Sequence, residues 1–145
     1  MKGKLARDQW WNATETLKEA SLLATGGQYK GAISRAFFAM EHAARAALAA
    51  KDQEPKTHRG MVQAFNNQLV RSGEMDRDRG ESLEDAHQAR NAADYGSFYR
   101  ATADEAYQLC GEAAAFLIET RKYLVNKGLS AADLPEVPEA PARNE

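Results

Sequence analysis

Residues 29–48 read YKGAISRAFFAMEHAARAAL, and this stretch decides the fold. Ala32, Ile33, Ala36, Phe37, Met40, Ala43, Ala44, Ala47 and Leu48 recur at intervals of three and four, the repeat of a helix with one apolar face. So many alanines let neighbouring backbones approach closely. The segment from Tyr29 to about Ala50 is therefore predicted to be the central helix of a bundle.

Working outward, the same period continues on both sides. Upstream, Trp10, Ala13, Leu17, Ala20 and Ala24 predict a first helix from about Lys4 to Thr25, stopped by Gly26-Gly27. Downstream, after a loop from Lys51 to Lys56, Thr57 can cap a third helix that runs through Phe65 and Leu69 to Val70 and ends at Ser72-Gly73. A fourth starts near Asp76 and reaches Tyr95; its Leu83, His87, Arg90 and Asp94 share one stripe, with Ala86, Ala89 and Ala93 facing inward. Gly96-Ser97 interrupts. A fifth, from about Thr102 to Asn126, carries Ala103, Ala106, Tyr107, Cys110, Ala114, Leu117, Arg121 and Leu124 as a near-heptad stripe ended by Gly128. Proline is absent before Pro55 and again until Pro135, and the residues between are good helix formers. The expected architecture is all-α, an up-and-down antiparallel bundle of about five helices over residues 1–130. Residues 131–145, rich in proline and glutamate, are expected to form a flexible acidic tail.

Composition narrows the function classes. At 145 residues the chain fits one domain that can bury roughly two-thirds of its unfolded surface without disulfides or metals. The formal charge of −2 divides into −3 on the tail, from Asp133, Glu136, Glu139 and Glu145 against Arg143, and +1 on the body. That is no general nucleic-acid footprint, although a local basic groove is compatible with it. No apolar run is long enough for a membrane span and no signal-peptide stretch follows Met1, so no membrane association and a cytoplasmic location are expected. The lone cysteine, Cys110, reads as a small buried side chain. His42, His58 and His87 are scattered singly, without His-Glu-x-x-His spacing, and Gly26-Gly27 is not followed by Lys-Ser/Thr. No metal and no cofactor are expected.

Three pieces of sequence carry a resemblance: the string from Tyr29 to Leu48, then Lys56-Thr57-His58-Arg59-Gly60 followed by Phe65, then Ala89-Arg90-Asn91-Ala92-Ala93-Asp94-Tyr95-Gly96. In this order and approximate spacing, spanning roughly residues 8 to 125, the chain resembles the HEPN family, in particular its UPF0332-like subgroup. The resemblance implies a helical bundle that forms a homodimer, often paired with a minimal nucleotidyltransferase as a two-component or toxin–antitoxin system, and many such proteins cleave RNA.

RNA-cleaving members carry an arginine, four to six residues, and then a histidine, residue types suited to a cation for phosphate and a proton carrier near neutral pH. Arg90 stands where that arginine belongs, but Tyr95, Gly96 and Ser97 occupy the histidine positions. Arg35 and His42 match the spacing formally, which eleven arginines and three histidines produce by coincidence. The leading expectation is thus a HEPN protein acting with a nucleotidyltransferase through a polar cleft at a dimer interface. In that cleft Arg90, Asn91, Asp94, Tyr95 and His58 would bind nucleotide or RNA, and Tyr95 would accept an adenylyl group. The alternative is a metal-independent ribonuclease with an altered site, using His87 or His58 with Arg90 as catalytic residues; a third reading is a non-catalytic nucleotide-binding or interaction module. A plainer account pairs Arg90 with Asp94 as an i, i+4 ion pair and packs Tyr95 against the second helix.

Overall fold

The computed structural model describes residues 2–143; Met1, Asn144 and Glu145 lie outside the described residues. It contains five α-helices: α1 (Lys2–Thr25), α2 (Tyr29–Ala49), α3 (His58–Phe65), α4 (Arg77–Tyr95) and α5 (Ala103–Asn126). A π-helical turn at Asn66–Val70 continues α3, and a 3-10 turn spans Ala131–Asp133. Among the described residues there is no strand, and no helix is long and apolar enough to cross a membrane.

The alanine-rich stretch behaves as its composition demands. Helix α2 packs against each of the other four helices, and its alanines at 32, 36, 39, 43, 44, 46 and 47 are fully buried. Those small faces, and Ala86 and Ala93 of α4, are taken up inside the bundle. Trp10, Leu17, Phe37, Phe65, Phe116 and Leu117 fill the core between the helices. Between α1 and α2, Gly27 adopts φ +79 while Gln28 N–H donates to the Leu23 carbonyl at 2.8 Å, a left-handed C-terminal cap that reverses the chain in three residues.

One helix end differs from expectation. The third helix does not stay α-helical to Val70, because its last turn widens where Gly80 of α4 crosses it; a Cβ on Gly80 would lie 2.2 Å from Asn66 Oδ1. The segment after residue 130 is anchored at its start, against α1 and α5. Leu134 is buried, Trp10 Nε1–H donates to the Pro135 carbonyl at 2.8 Å, and Arg121 Nη2 donates to the carbonyls of Leu134 (2.8 Å) and Ala131 (3.1 Å). Further out, Arg143 pairs with Asp104. The acidic composition concealed an apolar anchor whose backbone carbonyls satisfy buried donors of α1 and α5.

Candidate functional site

One polar cluster interrupts this apolar packing, on the side where α2 faces α4 and the start of α3. Helical spacing on α2 aligns Ser34, Arg35, Phe37, Phe38, Glu41 and Arg45; on α4 it aligns His87, Arg90, Asn91, Asp94 and Tyr95. His58 is the first residue of α3, directly after Thr57, whose side chain accepts from Gly60 N–H and caps the helix.

The position of His58 is fixed from beneath. Glu41, its side chain only 6% exposed, pairs with His58 Nδ1. Because a carboxylate only accepts, Nδ1 carries the hydrogen in this pair and Nε2 is left available for proton exchange. Arg45 holds the same carboxylate at 3.4 Å and also donates to the carbonyls of Pro55 (2.6 Å) and Thr57 (3.3 Å), tying the loop before α3 to α2. A buried carboxylate needs such compensation, and the Arg45 guanidinium with the Nδ1–H of His58 supplies it.

His87 meets His58 from the other helix, with ring centroids 6.2 Å apart, and both imidazoles rest on Phe37 at 5.4 and 6.0 Å. Burial lowers the His87 pKa, and the neighbouring His58 and Arg90 push it the same way against the opposing pull of Glu84. His87 is therefore biased toward the neutral base.

Arg90, one turn further along α4, is 9% exposed and held on several sides. Its Nε donates to Asp94 at 2.9 Å, Nη1 to Asn91 Oδ1 at 3.2 Å and Nη2 to the Tyr95 hydroxyl at 3.3 Å. The guanidinium lies over the Phe38 ring at 5.0 Å and the Tyr95 ring at 5.2 Å. Arg35 approaches Phe38 as well, at 5.1 Å, and Ser34 donates to Asp94 at 3.2 Å. Three of the five guanidinium N–H groups of Arg90 are thus used among the described residues, leaving two for a further acceptor.

His58, His87, Arg90, Asn91, Asp94 and Tyr95, the residues singled out from the sequence, fall in this one cluster. The Arg90–Asp94 ion pair forms as the i, i+4 spacing implies. Tyr95 does not pack against α2: it is 71% exposed and touches Arg90 instead. His42 lies apart, its Nδ1 2.8 Å from Gln9 Oε1 and its pKa lowered chiefly by burial, so it makes no pair with Arg35. Sequence reasoning missed Glu41, Arg45 and Phe38; the available signal was a Glu and an Arg four residues apart in the alanine-rich half of α2. Burial also pushes the Cys110 thiol up to about 11, which leaves it an unreactive core group. Among the described residues, no group of three or more His, Cys, Asp or Glu side chains is arranged to hold a metal ion. A cavity of about 600 Å³ between α5 and residues 131–137 is lined by Ile118, Val125 and Val137 with Arg121, Lys122 and Glu136, and it holds none of the cluster's residues.

Comparison with known proteins adds a lineage to this geometry. The HEPN domain family matches residues 6–123. The protein of Methanocaldococcus jannaschii named "Putative toxin MJ0142" is 29% identical over 81% of this chain and 80% of its own length. A second from that organism, named "Putative toxin MJ0605", is 31% identical over 77% of this chain and 83% of its own. A UPF0332 protein of Gloeobacter violaceus is 28% identical over 77% of this chain and 90% of its own.

Proposed function

This chain belongs to the HEPN domain family, and on that premise we propose that it is the toxin-type member of a two-component pair, acting on RNA through His58, His87 and Arg90. The observation that carries the reading is the approach of two imidazoles to 6.2 Å beside a fixed guanidinium, one imidazole oriented by a buried carboxylate and the other biased neutral. The toxin names of two relatives agree with it.

The chemistry follows from the proton inventory. Neutral His87 takes the proton of an RNA 2′-hydroxyl, whose oxygen attacks the adjacent phosphorus. Arg90, using its free N–H groups, compensates the charge on the phosphorane oxygens. The bond from phosphorus to the 5′-oxygen breaks, and protonated His58, its charge offset by Glu41, donates from Nε2 to the leaving oxygen. The products are a 2′,3′-cyclic phosphate and a 5′-hydroxyl, and no redox partner is needed. The family's dimer would set two such sites in one groove, and light scattering should then give a particle of twice 16.0 kDa. Arg90→Ala should lower RNA cleavage by purified protein at least about 100-fold; activity equal to wild type would remove Arg90 from the site.

A second reading is favoured by Tyr95 alone, whose exposed ring carries its hydroxyl 3.3 Å from Arg90 Nη2. A nucleotidyltransferase partner would place the α-phosphorus of ATP against that hydroxyl; the phenol oxygen bonds to phosphorus, pyrophosphate leaves and the phenol proton goes to water. Intact mass after incubation with partner and ATP should show one adenylyl adduct that Tyr95→Phe abolishes. An unmodified wild type would count against this reading and leave the first standing.

A further inference from the structure

At the end of α4 and in its connection to α5 the chain presents Tyr95, 71% exposed, and Phe98, 97% exposed. A single exposed apolar side chain is ordinary on a protein surface. Here, however, the ring is held out by a turn fixed at both ends. On one side Gly96 closes α4 so tightly that a Cβ there would lie 2.6 Å from the Ala92 carbonyl oxygen, and Tyr95 is anchored on Arg90. On the other, Tyr99 donates its hydroxyl to Glu105 at 2.7 Å, and Thr102 with Glu105 closes a reciprocal capping box at the start of α5. Phe98 has no partner of its own among these contacts, and as the third residue after Tyr95 it lies within about 11 Å of it.

The surroundings hold three arginines, two of them already paired with carboxylates, Arg90 with Asp94 and Arg35 with Glu19. Arg90 and Arg35 flank Phe38 at the cluster, and Arg100 is exposed two residues beyond Phe98. Two exposed aromatic side chains, one of them stacked on the Arg90 guanidinium at 5.2 Å, match what an unpaired nucleotide offers, a π-face on one side and a phosphate on the other. A base within a duplex presents its edges and not its face, so such a platform discriminates by strandedness.

We infer that Phe98, with Tyr95, is a base-stacking platform that makes the site select single-stranded RNA. The inference rests on the RNA reading above and specifies which RNA that site takes. The ring is pre-ordered by the anchored turn, so stacking costs little additional ordering.

The test uses the full chain and a fluorescein-labelled ten-nucleotide 2′-O-methyl oligouridylate, which cannot be cleaved, alone or annealed to its complement. Fluorescence anisotropy should show the wild type binding the single strand at least about tenfold more tightly than the duplex. Phe98→Ala should weaken single-strand binding about tenfold and leave duplex binding unchanged, while Phe98→Trp retains wild-type affinity. Single-strand binding by Phe98→Ala equal to wild type, with Arg90→Ala defective, overturns the platform and leaves the RNA reading intact. If the wild type binds neither probe, the RNA reading itself fails. If Phe98→Ala instead halves the particle mass in light scattering, the ring belongs to a contact with a second copy of this chain, and the inference is overturned in favour of that partner.

Discussion

His87 sits 5.4 Å from the Phe37 ring centroid and one turn before Arg90, and both neighbours act on its proton. Apolar packing removes water from the imidazolium, and the guanidinium repels its charge. The consequence for pH follows directly. With the His87 pKa below the ordinary 6.5, the imidazole is neutral at pH 7 and gains its second proton only as pH falls through the lowered value. A profile of RNA-cleavage rate against pH should therefore keep its activity down to about 6.5 and fall below it, and His87→Gln should remove that limb together with most of the rate. A limb centred above 6.5 in the wild type would assign the base elsewhere. His87 and Arg90 were legible in the sequence because helical spacing alone puts them on one stripe. Glu41 was not, because its weight comes from burial, and nothing in Met40-Glu41-His42 says which of the two polar side chains turns inward. The outcome is that Glu41 points to the cluster and His42 to Gln9 on α1.

Among the elements, α4 is the one whose placement the sequence left open. It has little apolar content, and Gly80, Leu83, Ala86, Arg90 and Ala93 are its buried residues. Its register against the end of α3 is set by contact at Gly80, where Asn66 Oδ1 and the Val70 side chain would stand 2.2 and 3.1 Å from a Cβ. Asn66 is itself tied, donating to the Val62 carbonyl at 3.1 Å. Gly80→Ala should therefore destabilise the protein by about 1–3 kcal/mol despite alanine's better helix propensity. Urea unfolding measures this; a stabilised variant would mean that Asn66 yields freely and the crossing is loose. The five helices and most of their ends were readable from periodicity, from Thr57 as a cap, and from the glycines at 26–27 and 128; the capping box at Thr102 emerged only in the structure. The π-helical turn was not readable, because no local residue pattern marks it; it lies where Gly80 of α4 packs against Asn66 and Val70.

Across the whole molecule, long-range polar ties close the bundle where helix ends converge. Glu74, between the third and fourth helices, binds Lys127 at 2.8 Å after the end of α5 and pairs with Lys51 after α2. The hydrogen bonds from Lys127 and then Lys51 hold its carboxyl at about 2, against an ordinary 4.5. Between those values the unfolded chain binds the proton more readily, so this contribution to stability is complete above about pH 4.5 and is lost as pH falls toward 2. Glu74→Gln should cost about 1 kcal/mol at pH 7 by thermal unfolding, and its difference from wild type should shrink below pH 4.5. A gap that persists to pH 2 would show that the two lysines are not its source. The anchoring of residues 131–135 belongs to the same scale: Leu134 is buried and carbonyls of this segment receive Trp10 and Arg121. Such pairing spans 125 positions for Trp10 and Pro135, beyond the reach of any local pattern.

At this scale the proposed function requires the bundle to hold two histidines and an arginine against an RNA phosphate. Its most direct measurement is mass spectrometry of the ends formed when purified full-length protein meets RNA in excess EDTA. The expected result is 2′,3′-cyclic phosphate and 5′-hydroxyl termini, absent with Arg90→Ala and with 2′-deoxy substitution at the cut position. RNA left intact by the wild type, or the same ends from Arg90→Ala and His87→Gln, would contradict the account.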